Sequence, residues 1–343
     1  MTNPLPGKKG VLLVNLGTPD APTKSAVYRY LKQFLLDPRV IDYPWLGRNL
    51  LVRGIILPFR TGNSTKLYKE LWTDEGSPLM VYGRRLAEGV QKELGSDYVV
   101  ELAMRYQNPS IESAVRKLLD AGVREVTVLP LFPQYASATT GSVHEEVMRV
   151  FNKEQVIPRL HFISSYHDYA PMIEVFARNA AKFDLGEYDH ILFSYHGLPQ
   201  RQLLKADRTG HCTGSGECCR KLVQNNQYCY SAQCYDTTRA LVEKLELKEG
   251  SYTTCFQSRL GKEVWAKPYT SDVIAERAAK GDKKLLVFCP AFVADCLETI
   301  IEIGVEYQEE FEKLGGEKVD LVPSLNDDPQ WIKAVAQLVS KGA

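Results

Sequence analysis

Six short apolar runs punctuate the chain, at residues 11–16, 98–102, 125–132, 191–194, 253–257 and 285–289. Each is four to eight residues long, and several are apolar almost without interruption, the pattern of strands buried on both faces of a parallel sheet. Segments of helical period lie between them. Residues 24–36 place Val27, Tyr30, Leu31, Phe34 and Leu35 on one face, and Asp37-Pro38 stops that helix. Residues 110–119 form a second, closed by Gly122 before the strand at Glu125. Strands alternating with crossover helices define an α/β protein with parallel sheets. No repeat of 20–50 residues and no low-complexity linker interrupts the alternation. At roughly 150 residues per domain, 343 residues divide into two.

The most apolar segment is 45–59, with Trp45, Leu46, Leu50, Leu51, Val52, Ile55, Ile56, Leu57 and Phe59 interrupted by Arg48 and Arg53, and Arg60 following. Two readings stand side by side: a core helix edged by arginines, or an amphipathic lip that meets an apolar ligand or the bilayer surface. The start of the chain has two lysines and a short apolar run, without the long apolar region and cleavage site of a signal peptide. No stretch of about 18 apolar residues exists, so no membrane-spanning helix is expected and a cytoplasmic location follows. Forty-two basic residues balance forty-two acidic ones, which argues against a nucleic-acid binder.

Two strand ends carry the chemistry. The run 191–194 leads directly into Tyr195-His196-Gly197-Leu198-Pro199, and open α/β sheets bind ligands beyond the carboxyl ends of their strands. An isolated histidine is more often structural than catalytic, but this position favours catalysis. The run 285–289 leads into Asp295-Cys296-Leu297-Glu298 and then a helix on which Glu298, Glu302 and Glu306 share a face. Like charges at i, i+4 cost a few tenths of a kcal/mol per pair. A solvated acidic face is the ordinary explanation. A row of carboxylates leading to an imidazole instead suits cation delivery or proton removal.

With these residues in view, the chain resembles the ferrochelatases, enzymes that insert ferrous iron into a porphyrin to make haem. The resemblance runs from Val11-Leu12-Leu13-Val14-Asn15-Leu16-Gly17-Thr18-Pro19 to Pro323-Ser324-Leu325-Asn326. Between them stand Arg105-Tyr106-Gln107-Asn108-Pro109, the segment from Leu131 through Tyr135 to Gly141, Phe256-Gln257-Ser258-Arg259 and Trp265-Ala266-Lys267-Pro268-Tyr269-Thr270. The most specific segments are Phe193-Ser194-Tyr195-His196-Gly197-Leu198-Pro199 and Asp295-Cys296-Leu297-Glu298-Thr299.

The resemblance implies the chelatase fold: two Rossmann-like lobes with parallel sheets and a cleft between them. The first lobe is expected at 1–165 with the apolar lip at about 45–60, and the second at 166–320. A C-terminal helix in 321–343 is expected to pack back on them. His196 and Glu298 are implied as the catalytic pair facing the porphyrin centre and the substrate iron, with Glu302 and Glu306 continuing an acidic path. Leu16, Arg60, Tyr106 and Tyr135 match positions that line the porphyrin cleft or hold its propionates. Leu16 stands where some coproporphyrin-using relatives carry Tyr, which points to protoporphyrin IX. Some relatives place a second His where this chain has Cys296, so a two-His mechanism is in doubt here. The location implied is cytoplasmic, with peripheral contact at the inner membrane face. No residue pattern sets an oligomeric state.

Five of the eight cysteines crowd one stretch: Cys212, Cys218, Cys219, Cys229 and Cys234. Structural disulfides are not expected in a reducing compartment, so crowding reads as metal chemistry. Compact relatives have a shorter connection here, so about 205–234 reads as an insertion. Three readings remain: structural zinc with Cys₄ or Cys₃His including His211, a [2Fe–2S] cluster, or plain exposed thiols. No C-x₂-C pair is present, which counts against zinc. Some ferrochelatases carry a [2Fe–2S] cluster, in many cases with ligands near the C-terminus. This chain ends without a cysteine, so Cys212, Cys218, Cys219 and Cys229 are the expected ligands, with Cys234 in reserve. Rival functions are a chelatase for another metal or for coproporphyrin, and an iron–sulfur sensor on a chelatase scaffold. The intact His196 and Glu298 disfavour the sensor. A nucleotide-binding α/β protein lacks support, since no G-x-G-x-x-G or P-loop follows the first strand.

Overall fold

The computed structural model describes residues 7–261 and 263–341. The first six and last two residues of the expected domains lie outside them. Among the described residues eight strands form two four-stranded parallel sheets. The first contains β1 (Lys9–Gly17), β2 (Tyr98–Tyr106), β3 (Glu125–Pro130) and β4 (Arg159–Phe162), in the order β2-β1-β3-β4. The second contains β5 (His190–His196), β6 (Tyr252–Gln257), β7 (Lys284–Phe288) and β8 (Lys318–Leu321), in the order β6-β5-β7-β8. The two orders are the same pattern used twice. Central strands carry the apolar runs: Val11, Leu12, Leu13 and Val14 of β1 have no exposed surface, nor do Leu285, Leu286, Val287 and Phe288 of β7. The edge strands β4 and β8 read Arg-Leu-His-Phe and Lys-Val-Asp-Leu, too short and too polar to stand out as apolar runs.

Helices follow the strands as the periodicity requires. Thr23 caps Lys24–Leu35 by accepting from Ala26 N, and Ser110 caps Ile111–Asp120 by accepting from Ser113 N. Ile111, Ala114, Val115 and Leu118 pack on Leu12, Val14, Val126 and Val128 in the core of the first sheet. Val273, Ile274 and Phe311 pack on Leu192, Leu285 and Val287 in the second. Cys255 and Cys289 belong to that second core and are fully buried there.

Among the described residues the chain divides into two compact units. The first contains the chain up to Phe132, Ser137–Ser164 and the residues from Asp327 onward; the second contains Pro133–Ala136 and Ser165–Asn326. The C-terminal helix Pro329–Lys341 is part of the first unit, where it packs on the helix Pro78–Leu94.

Candidate functional site

In a sheet of this order the chain reverses direction between the two inner strands, and ligands bind outside their carboxyl ends at that switch point. In the second unit these strands are β5 and β7, and His196 and the segment before Glu298 follow from them. His196 is the last residue of β5 and lies opposite Gln257, the last residue of β6. Its Nδ1 is 2.7 Å from the carbonyl oxygen of Gly197. A carbonyl only accepts, so Nδ1 carries the proton of the neutral ring and Nε2 keeps its lone pair. The backbone is pinned from both sides: Tyr230 Oη donates to His196 O at 2.8 Å, and Gly197 N donates to Gln257 O at 2.8 Å. Trp265 and Phe292 flank the imidazole with ring centroids 6.5 Å away.

The acidic row lies on an unusual helix. Residues Leu297–Tyr307 form a π-helix, wider than the α-helix expected from the i, i+4 spacing. Its entry is locked by Asp295, which accepts from Thr299 Oγ1 at 3.0 Å, from Ser324 N at 3.3 Å and from Asn326 Nδ2 at 2.7 Å. That ties together two of the segments that carry the family resemblance. Glu298 and Glu302 are half-buried, whereas Glu306 is exposed. Glu302 Oε2 accepts from Ser258 Oγ at 2.5 Å and from Gln257 Nε2 at 3.1 Å. Burial pushes its carboxyl above the ordinary 4.5, opposed by those hydrogen bonds and by nearby His196. Gln257 links the halves of the site, since its side chain also donates to Glu298 O at 2.8 Å. No spacing rule marks Gln257, Ser258 or Asp295 as functional; only their place in family segments singles them out. Cys296 is buried and its thiol is pushed well up, first by burial and then by Glu298.

The porphyrin-lining candidates differ in their surroundings. In the first unit Leu16 is half-buried at the end of β1 and Arg60 is exposed. Gly17, at φ +127°, is held to glycine because a Cβ there would run into the carbonyl oxygen of Tyr106. Tyr106 departs from its expected lining position. It has no exposed surface, and its hydroxyl donates to Asp37 Oδ2 at 2.9 Å beside Arg105 and Ser142, which donate to the same oxygen. In the second unit Tyr135 is half-buried, with its N–H donating to Gln233 Oε1 at 2.6 Å.

The apolar stretch is largely exposed and does not form a core helix. Trp45 is 70% exposed, Leu50 65%, Ile55 56% and Phe59 82%. The charged residue goes inward instead: Arg48 is buried and donates to Tyr43 O at 2.9 Å. The stretch runs as Trp45–Leu51, a π-turn at Val52–Ile56, and Leu57–Leu71, with Val52 and Leu57 as its buried anchors. No helix among the described residues is long and apolar enough to cross a membrane.

The cysteine-rich stretch folds as a loop between the helices Gln200–Ala206 and Tyr230–Lys244. Asp207 takes N–H groups from Cys212 at 2.7 Å and Thr209 at 2.8 Å, which pull its carboxyl down to about 2. Asn226 donates to Cys218 O and Lys221 O, both at 2.9 Å, and accepts from Val223 N at 2.7 Å. These contacts gather four thiols. Cys218 Sγ and Cys219 Sγ are 3.9 Å apart, and Cys212 neighbours Cys218 as Cys229 neighbours Cys219, each close enough to shift the other's ionisation. Cys229 caps the helix Tyr230–Lys244; the Cys219 thiol and the N–H groups of Ala232 and Ser231 bring it down to about 6. Cys212, Cys218 and Cys219 border a cavity of about 60 Å³ shared with Tyr235 and Trp265. Cys234 is fully buried inside the helix, its thiol pushed up by burial.

The model of the family described as Ferrochelatase matches residues 8–343. A ferrochelatase of Coxiella burnetii (strain Dugway 5J108-111) is 47% identical over 336 residues, 97% of this chain and 94% of that protein. One from Legionella pneumophila (strain Lens) is 43% identical over 334 residues, 97% of this chain and 99% of that one. Among solved structures, the sirohydrochlorin chelatase SirB from Bacillus subtilis subspecies spizizenii in complex with cobalt has a similar fold. It superimposes with a TM-score of 0.54 at 13% identity, covering 98% of this chain and 95% of that one. The chain therefore belongs to the ferrochelatase family, lyases that insert ferrous iron into protoporphyrin to make haem.

Proposed function

We propose that His196 and Glu298 carry out the insertion of ferrous iron into protoporphyrin IX, with Glu302 and Glu306 as the path behind them. The observation that carries this reading is the side chain of Gln257, which holds the Glu298 backbone and the Glu302 carboxylate beside the turn that fixes His196. A free porphyrin keeps two pyrrole protons inside a ring too tight for a metal. Binding energy over its wide apolar face pays for distorting that ring. As four iron–nitrogen bonds form, the two N–H bonds break and two protons leave, and neither iron nor porphyrin changes oxidation state. Neutral His196, with its Nε2 lone pair free, accepts a pyrrole proton or holds the incoming ion for a moment. The Glu298 carboxylate supplies negative charge for the complementary role. Leu16, Arg60 and Tyr135 are the contacts proposed for the porphyrin, and Tyr106 acts through Asp37 and Arg105.

His196→Ala is expected to lower haem formation about a hundredfold or more while protoporphyrin still quenches tryptophan fluorescence. The assay is anaerobic, with protoporphyrin and ferrous salt, and follows the haem spectrum. Near-normal turnover would remove His196 from the chemistry.

The four thiols of the insertion fit a [2Fe–2S] cluster held by Cys212, Cys218, Cys219 and Cys229. Tetrahedral zinc with thiolate ligands needs sulfur spacings near 3.8 Å throughout, about what zinc–sulfur bonds of roughly 2.3 Å dictate. Among the described residues no three thiols lie within 4.8 Å of one another. A succession of neighbouring pairs suits a two-iron core better, and Cys234, enclosed in its helix, is not needed. Such a cluster supplies one-electron chemistry and a cross-link, neither of which iron insertion uses. A visible absorption spectrum with iron and sulfide analysis tests it; a colourless zinc-containing protein would overturn it. The exposed lip supports work at the inner face of the cytoplasmic membrane, where apolar porphyrins partition.

A further inference from the structure

Away from the acidic row, the turn that enters the helix Ala170–Ala180 holds His167 against Asp236 of the helix Tyr230–Lys244. Both are enclosed: His167 is 8% exposed and Asp236 5%. Nε2 of His167 is 3.2 Å from Asp236 Oδ2, yet neither ring nitrogen makes a hydrogen bond. Asp168 adds an exposed carboxylate, and one ligand atom from each of the three lies within 4.8 Å of the others. No other trio of this kind occurs among the described residues.

A buried imidazole nitrogen facing a carboxylate oxygen without a proton aligned between them is a costly arrangement unless something else joins them. A spacing of 3.2 Å is what two ligands of one cation adopt. Metal–ligand bonds of about 2.0–2.2 Å at about 90–110° put neighbouring donor atoms roughly 3.0–3.5 Å apart. Burial holds the imidazole below its ordinary 6.5, in the neutral form that has a lone pair to give. The arrangement is pre-set, because Thr237 Oγ1 donates to His167 O at 2.7 Å and fastens the turn to the helix. Arg239 pairs with the other oxygen of Asp236 and is itself 59% exposed, so it can swing away as a cation enters.

We propose that His167, Asp168 and Asp236 form a binding site for a divalent transition-metal ion, sharing no residue with the acidic row or the cysteine loop. One imidazole and two carboxylates select a borderline cation such as Mn²⁺, Fe²⁺ or Zn²⁺ over Mg²⁺ or Ca²⁺. The exposed side of Asp168 leaves coordination positions for water. The bound ion clamps the 165–169 turn to the helix that Cys229 caps.

The test uses the full chain, stripped with chelator, carrying His196→Ala and Glu298→Gln so that the row used for substrate iron is weakened. Mn²⁺ is the probe, because thiolates compete poorly for it, and free Mn²⁺ is followed by electron paramagnetic resonance. Saturable binding is expected, and adding Asp168→Asn or His167→Gln weakens it by about tenfold or more. Mn²⁺ also raises the thermal midpoint of the protein with Asp168 intact and leaves that of the Asp168→Asn protein unmoved. Asp168 is exposed, so its replacement leaves the fold in place. Equal affinity in both variants, or no saturable binding below millimolar Mn²⁺, would overturn the site and leave His167 and Asp236 as a plain ion pair.

Discussion

Glu302 is where burial and hydrogen bonding oppose each other most directly. Taken out of water, a carboxylate is driven to hold its proton, while Ser258 Oγ and Gln257 Nε2 donate to the charged form. Burial is the larger effect, so the folded protein binds this proton more tightly than the unfolded chain does. Linkage then gives the sign. As pH climbs from about 4.5 through the raised folded value, the native state loses stability, and above that value the cost is complete. Glu302→Gln keeps an oxygen to accept from Ser258 and removes the buried charge. The variant is expected to be more resistant to urea than the parent at neutral pH, with the gap closing as pH falls towards 4.5. A variant less stable than the parent at neutral pH would mean that the hydrogen bonds to the carboxylate outweigh its burial. In the metal path proposed for Glu302 the same balance matters, because a carboxylate close to protonation releases a cation more readily than one held firmly ionised.

The lip segment shows what a helical pattern leaves open. Apolar residues at 45–59 fit a core stripe and a surface stripe equally well, because periodicity records which residues share a face and not which way it points. The direction is set by Arg48, whose guanidinium finds the carbonyl of Tyr43 and draws its own side of the helix inward. That acceptor lies in irregular chain and leaves no mark in the pattern. Trp45, Leu50, Ile55 and Phe59 are thereby left in water, a patch of the kind that meets membranes or partners. Replacing Leu50, Ile55 and Phe59 with Ser is expected to abolish association with anionic liposomes in a flotation assay. Urea unfolding should be unchanged within about 0.5 kcal/mol per site, because none of the three is packed. Retained flotation would assign the patch to another partner. The other elements were legible to unequal degrees. The six apolar runs became central strands or their neighbours, and His196 fell at a strand end as its surroundings implied. The edge strands β4 and β8 passed unnoticed because each is four residues long and alternates charged or polar with apolar positions. The π-form of Leu297–Tyr307 was hidden as well, since the spacing of Glu298, Glu302 and Glu306 suits either helix. Tyr106 was misread for a different reason: its partner Asp37 is far away in the chain, and only folding brings them together.

At the scale of the whole molecule, one sheet order used twice gives each unit a switch point, and the second carries the imidazole and the acidic row. Holding these in place depends on β5, whose first residue is His190 and whose last is His196. His190 is 3% exposed; its Nε2 is 2.8 Å from Thr253 Oγ1, and its Nδ1 has no hydrogen-bond partner. Burial, with Arg277 nearby, brings its pKa from 6.5 down to about 4. The unfolded chain therefore takes up this proton first as pH falls. Stability contributed by the neutral ring is full above pH 6.5, is lost as pH drops from there, and is gone by about pH 4. Each pKa unit carries about 1.4 kcal/mol, so allowing for partial solvent screening, this one histidine accounts for about 2 kcal/mol of acid sensitivity. His190→Gln keeps a group that can hydrogen-bond Thr253 and cannot charge. Urea unfolding at pH 7, 6, 5 and 4 is expected to show a steep decline for the parent and a shallower one for the variant, with the curves together near neutral pH and the variant the more stable at the acid end. Parallel declines would clear His190 and move the acid sensitivity to the ion pairs. If the slope does flatten, the strand that carries His196 is also an acid-labile part of its unit, and loss of the fold contributes to any failure of iron insertion at low pH.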